Sequence, residues 1–188
     1  MIFRPALPVL AAALLGFGTA NAGDLDDRVA NSRVAANTLL NALKDRVTEV
    51  ARAKGPVEAA KTCNLEALPM TKRISEEQGF QVGRTSHLLR QPKNAPDTWE
   101  QAGLDEFMKR KAAGEKLAGM ERYEVVTEDG KPVFRYMRAI EMGGVCYNCH
   151  GKLRREVAKA IDEMYPNDKA RDLNPGDLRG AFTIRQPM

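Results

Sequence analysis

The chain has 188 residues, 29 Lys/Arg against 25 Asp/Glu, and a net charge of +4. That length holds one domain plus a processed segment. The charge is mild and mixed along the chain, with no Lys/Arg run interleaved with aromatics, so it excludes a nucleic-acid-binding surface.

Residues 1–22 read as a secretory signal peptide. Arg4 supplies the positive start, Pro5–Gly18 is an apolar run rich in Ala and Leu, and Ala20-Asn21-Ala22 is an A-x-A cleavage site. The run is too short to span a bilayer comfortably, and polar Asn21, Gly23 and Asp24 follow at once. A retained membrane anchor is the competing reading. Removing the segment takes away one Arg and no acid, which leaves a net charge of +3. Residues 23–188 then form a single domain expected in the periplasm.

Asp24–Lys54 is predicted as one long helix, with Asp24, Asp26 and Asp27 favouring its N-terminus through the dipole. Ala36, Leu40, Leu43, Val47 and Val50 make one apolar stripe at four-three spacing. The stripe either packs on the domain's own elements or forms a short coiled-coil seam for a homodimer; barely two heptads of pattern favour the first. Gly55-Pro56 ends this helix and starts a second over Val57–Leu68, with Val57, Ala60, Cys63 and Ala67 roughly on one face. Pro69 is expected to end or kink it, and Lys72–Glu77 to add a separate turn closed by Gly79.

Phe80–Thr85 reads as a strand leading into Ser86 and His87, and Leu88–Pro96 as a polar loop. Asp97 and Glu100 have capping-box spacing and open a helix through Trp99, Leu104, Phe107 and Met108. The period then drops to two. Arg122–Val126 and Pro132–Ile140 read as strands around a Glu128-Asp129-Gly130 hairpin turn. Along the second, Val133, Arg135, Met137 and Ala139 face one side, and Phe134, Tyr136, Arg138 and Ile140 the other. Leu153–Tyr165 reads as a helix ended by Pro166, and Leu178–Arg185 as a closing strand with Phe182 and Ile184 on one face. Helices first and an antiparallel sheet of about four strands after them give an α+β fold with a long N-terminal helix and flanking helices.

The chemistry-bearing stretch is Cys146-Tyr147-Asn148-Cys149-His150, the C-x-x-C-H pattern of covalent c-type haem attachment. Two thiols add to the two haem vinyl groups, and the adjacent His supplies an imidazole as the proximal iron ligand. Gly143-Gly144 before the motif and Gly151 after it are expected to let the backbone pass close to a flat macrocycle. A thioredoxin-like pair wants a βαβ context that is missing nearby. Half a zinc site wants a second ligand pair, and one Cys and one His are all that remain. A short-loop disulfide leaves His150 without a role. Thioether formation outside the cytoplasm agrees with the export signal.

The second axial position decides most of the function. Cys63 is the odd cysteine, which in an oxidising compartment is an intermolecular disulfide, an inert buried thiol or a working thiol. It sits on an apolar helix face and has no partner left, so it is the preferred sixth ligand. His87 and the methionines at 70, 108, 120, 137 and 142 are the alternatives. Arg84, Arg135 and Arg138 are candidates to pair with the haem carboxylates.

The chain resembles a family of single-haem c-type proteins with a PAS-like fold. The resemblance lies in Val82-Gly83-Arg84-Thr85-Ser86 with Arg90, Pro92 to Asp97 and Trp99-Glu100, in the Cys63 segment, in the Gly143-Gly144 haem motif, and in Gly176–Phe182. It implies a haem attached at Cys146 and Cys149, with His150 and Cys63 as axial ligands. It also implies redox or small-gas sensing, with low-potential electron transfer as the alternative and a peroxidase-type enzyme well behind. A non-enzymatic role is therefore expected, with output passing to a redox partner or a separate signalling protein.

Overall fold

Apolar residues recur at three- and four-residue spacing in the first half of the chain, which coils it, and at two-residue spacing later, which extends it. The computed structural model describes residues 22–188. All but the last residue of the expected export signal lies outside the described residues. The element order is α1 (Ala22–Lys54), α2 (Pro56–Gln78), β1 (Gln81–Thr85), α3 (Thr98–Ala112), β2 (Glu121–Glu128), β3 (Lys131–Glu141), α4 (Tyr147–His150), α5 (Arg155–Met164) and β4 (Leu178–Pro187). Among the described residues this is the expected α+β class, with five helices and one four-stranded antiparallel sheet in the order β1-β4-β3-β2.

Local signals account for most boundaries. Gly55, at φ +85°, separates α1 from α2, and Pro56 opens α2 where its missing N–H is harmless. Both halves of the Asp97/Glu100 capping box are present at the start of α3. Asp129 and Gly130, at φ +50° and +75°, make the tight turn between β2 and β3, where two left-handed residues match the strand twist.

Pro69 does not end α2, contrary to expectation: the helix runs on to Gln78 and closes at Gly79. The proline removes one N–H, so the Leu65 carbonyl four residues earlier loses its helical partner. Pro69 is exposed and Leu65 is 73% exposed, so this part of the helix faces water, which can take the freed carbonyl.

The sheet is covered on both faces, and the alternation along β3 sorts them. Phe134 and Tyr136, with Phe182 and Ile184 of β4, pack against Val29, Ala35, Ala36 and Leu39 of α1. Met137 and Ala139, with Ala181 and Leu178, pack against Leu104 and Phe107 of α3. Helix α5 packs on α2 through Val157, Ile161 and Ala60. The α1 stripe is thus turned toward the domain itself: Ala36 and Val50 are buried, and Leu40 and Leu43 pack against the same core.

Candidate cofactor site

The segment between β3 and α5 is tied down at both ends. Met142 N–H donates to the Asp177 carbonyl at 2.8 Å, and Gly176 N–H returns a 2.8 Å bond to the Met142 carbonyl. At the far end, Leu173 N–H donates to the His150 carbonyl at 3.0 Å and Asp172 N–H to the Gly151 carbonyl at 3.2 Å. Between these ties a 3-10 turn, Gly144–Cys146, runs into α4. In one continuous helical coil, residues i, i+3 and i+4 share a side. Cys146, Cys149 and His150 accordingly line one cavity together.

The flanking glycines also have local reasons of their own. A Cβ at Gly151 would stand 2.3 Å from the Tyr147 ring, so its missing side chain makes room for that ring. Gly144 sits at φ +54°, the left-handed region that favours glycine, and nothing lies within 4 Å of a Cβ built there.

The cavity and the open solvent at its mouth together span about 1270 Å³ of space free of atoms. Leu40, Leu43 and Val47 of α1 form an apolar wall, Ala60, Cys63 and Ala67 of α2 a second, and Ile140, Phe182 and Ile161 close its floor and side. Cys63 therefore shares the cavity with the three motif residues, although 83 positions separate it from Cys146. His87 does not line it, and neither does any methionine among the described residues. Met120, Met137 and Met142 are buried core instead.

His150 is held for ligation. Its Nδ1 lies 2.7 Å from the Ala170 carbonyl oxygen. A carbonyl only accepts, so Nδ1 carries the hydrogen and Nε2 keeps a free lone pair. Burial, and then the Arg179 and Arg90 charges, hold the imidazole well below the ordinary histidine range. It is neutral and available as a donor at neutral pH. Burial pushes both the Cys146 and Cys149 thiols up, against the opposing pull of Lys44 and Arg179 on the first and Arg90 on the second. A reactive thiol–disulfide pair needs the reverse shift, toward thiolate. No group of three or more His, Cys, Asp and Glu that could hold a bare metal ion exists among the described residues, which disfavours the zinc reading.

The cavity is cationic. Lys44, Arg84, Arg90 and Arg179 line it, and no Asp or Glu does. Arg90 is neutralised from behind by Asp168, at 2.9 Å. Among the described residues neither Arg84 nor Arg179 has a carboxylate partner. Arg84 Nε is buried without any hydrogen-bond partner, and burial lowers its pKa against the opposing pull of Cys63 and Tyr165. Burial, then the neighbouring Arg90 and Arg84 charges, push Arg179 down to about 10; it donates to Ser86 Oγ at 3.0 Å. Both residues are half-buried, and cations drawn out of water without a counter-charge are unfavourable, so this cavity suits an anionic occupant. Large volume, apolar walls, two thiols, one pinned imidazole and two spare guanidiniums together fit a flat dicarboxylate macrocycle with a metal at its centre.

Two of the three arginines expected to meet carboxylates lie elsewhere. Arg135 is on the α3 face of the sheet, paired with Asp97 at 2.7 Å and Glu128 at 2.9 Å and stacked over Trp99. Arg138 lies over the Phe182 ring at 5.5 Å and is not in the cavity wall. Arg179, Arg90 and Tyr165 line the cavity and Asp168 stands behind Arg90, and no local pattern in the sequence marks any of the four.

The family model described as Tll0287-like matches residues 24–187, nearly all of the described chain. The crystal structure of the cyanobacterial heme-protein Tll0287 superposes with a TM-score of 0.61 at 22% identity, over 90% of this chain and 98% of that one. That likeness is one of fold. No curated protein matches the sequence. The extent of the family match settles membership: the chain belongs to the Tll0287-like family.

Proposed function

We propose that the chain is an exported c-type haem protein of PAS-like fold, acting in redox or small-gas sensing in the periplasm. The observation that carries this reading is the convergence of Cys63, Cys146, Cys149 and His150 on one cationic, largely apolar cavity. A structural neighbour that is itself a heme-protein supports it. Cys146 and Cys149 would hold one haem through thioethers, His150 Nε2 would be the proximal ligand, and Cys63 the second axial ligand. When bound, the haem would supply a one-electron redox centre. The chain's own groups do the rest. The Ala170 carbonyl fixes the His150 tautomer and ring plane. Arg84 and Arg179 would receive the two haem carboxylates, since among the described residues these are the cavity guanidiniums without an acid partner. Leu40, Leu43, Val47 and Phe182 exclude water from the faces.

Low-potential electron transfer is the second reading, and the imidazole–thiolate pair supports it equally, because a thiolate favours the higher oxidation state. A peroxidase-type enzyme needs a distal acid–base group, and no imidazole except His150 lines the cavity. Output would pass to a redox partner or a separate signalling protein.

The test is an absorption spectrum of the protein co-expressed with a haem-attachment system, oxidised and then reduced, with and without CO. A reduced form that takes CO supports sensing. A reduced form that stays six-coordinate and ignores CO supports electron transfer. A chain that carries no haem overturns both.

A further inference from the structure

We infer that Arg90 and Asp168 are positioning residues that set the donor strength of His150 by sharing its hydrogen-bond acceptor. The inference rests on the haem reading above. The Ala170 carbonyl oxygen accepts from His150 Nδ1 at 2.7 Å and from Arg90 Nη2 at 3.0 Å. The same Arg90 fork grips Asp168, with Nε on Oδ1 at 3.0 Å and Nη2 on Oδ2 at 2.9 Å. Asp168 Oδ1 also accepts the Ala170 N–H at 2.9 Å, and Oδ2 accepts from Arg171 Nε at 3.0 Å. The Ala170 residue is thus held from both its N–H and its carbonyl by one ion pair, whose carboxylate is 0% exposed and whose guanidinium is 10% exposed.

Holding two loops together would need only the Arg90–Asp168 pair and the 2.8 Å bond from Lys169 N–H to the Leu89 carbonyl. The added feature is that Arg90 Nη2 serves the carboxylate and the carbonyl at once. A carbonyl oxygen has two lone pairs, and a cationic donor on one draws charge away from the other. Arg90 therefore weakens Ala170 as an acceptor for His150 and keeps the imidazole a moderate donor. Asp168 limits that effect by holding part of the guanidinium charge. An acceptor left entirely to His150 would make the imidazole more basic and favour the oxidised iron.

Two variants of the haem-loaded protein test this with opposite signs. Arg90→Lys keeps the charge and the ion pair but loses the fork, so the carbonyl turns to His150 alone. The His150 Nδ1–H proton resonance of the reduced protein should move downfield. The redox equilibrium should shift about tenfold toward the oxidised form, about 59 mV for one electron. Asp168→Asn leaves the whole guanidinium charge on the carbonyl, so the proton should move upfield and the potential should rise. If Arg90→Lys does not fold, Asp168→Asn carries the test through the sign of the proton shift together with that of the potential. Variants that lose thermal stability while both readouts stay at the wild-type values overturn the inference and make the pair a loop tie. So do variants that move both readouts in one direction. A wild-type protein without haem, or with haem but no iron-bound His150, overturns the haem reading instead.

Discussion

Replacing Arg84 by Met should change stability with opposite sign in the empty and the loaded protein. Arg84 points into the cavity from β1, its Nε has no partner, and Arg179 beside it is a like charge. An unsatisfied buried polar group costs about 1–3 kcal/mol, and more when charged. Met keeps the apolar stem and removes the cation. In a chain that cannot attach haem, made by Cys146→Ala with Cys149→Ala, the substitution should stabilise by about 1–3 kcal/mol. For a chain of this size that raises Tm by about 2–4 °C per kcal/mol. In the loaded protein the same substitution strands a buried haem carboxylate, and breaking such a pair costs about 3–5 kcal/mol. Thermal unfolding followed by circular dichroism in both backgrounds gives the two signs directly. Destabilisation in both, or no difference between them, refutes Arg84 as a carboxylate partner.

Cys63→Ala should strip thiolate character from the oxidised spectrum and leave the haem attached; an unchanged spectrum removes Cys63 as a ligand. Asp168→Asn should destabilise by about 3–5 kcal/mol at neutral pH, because it orphans buried Arg90. Burial raises the Asp168 carboxyl, but the Arg90 hydrogen bonds and the Ala170 N–H more than offset it and hold the group below its usual 3.8. A depressed carboxyl gives stability that is complete above its unfolded value and lost as pH falls through the folded one. The gap between wild type and variant should therefore narrow only below about pH 4 in acid unfolding curves, and narrowing near neutrality would count against the ion pair. Gly180→Ala should destabilise by about 1–3 kcal/mol, because Gly180 sits at φ +149° and an added Cβ would stand 2.4 Å from the Thr85 carbonyl. Chemical denaturation measures it, and a neutral result would mean that β1 and β4 can part there.

Much of the fold was legible because local rules and global packing agree. Asp97 with Glu100, Gly55-Pro56 and Asp129-Gly130 each name their own backbone geometry, and each is found in it. The β3 alternation even sorted its residues between the α1 and α3 faces, which alone argues Arg135 out of the site. Pro69 misled because a rule about helix interiors does not see which side faces water. Gly151 has a nearer reason than the sequence suggested, since the Tyr147 ring takes the space a Cβ would fill.

The site was half legible for a clearer reason. The haem motif is contiguous, and Cys63 stood out by arithmetic. Arg179 was hidden by a β-bulge. Counting back by twos from Phe182 puts Leu178 on the cavity face and Arg179 on the other. The register slips between Ile140 and Glu141, opposite Gly180 and Leu178. That extra residue turns Leu178 toward α3 and Arg179 into the cavity. Arg90 and Asp168 lie 78 positions apart, and nothing in either neighbourhood announces the other.

The most direct measurement is whether haem stays with the denatured chain. The protein is co-expressed with a haem-attachment system, unfolded in acid organic solvent, and its intact mass and absorption are read on the protein fraction. One haem retained by the wild-type chain and lost when Cys146 and Cys149 are both replaced by Ala is the expected result. Haem extracted freely from the wild-type chain, or none bound at any stage, would contradict covalent attachment at this cavity.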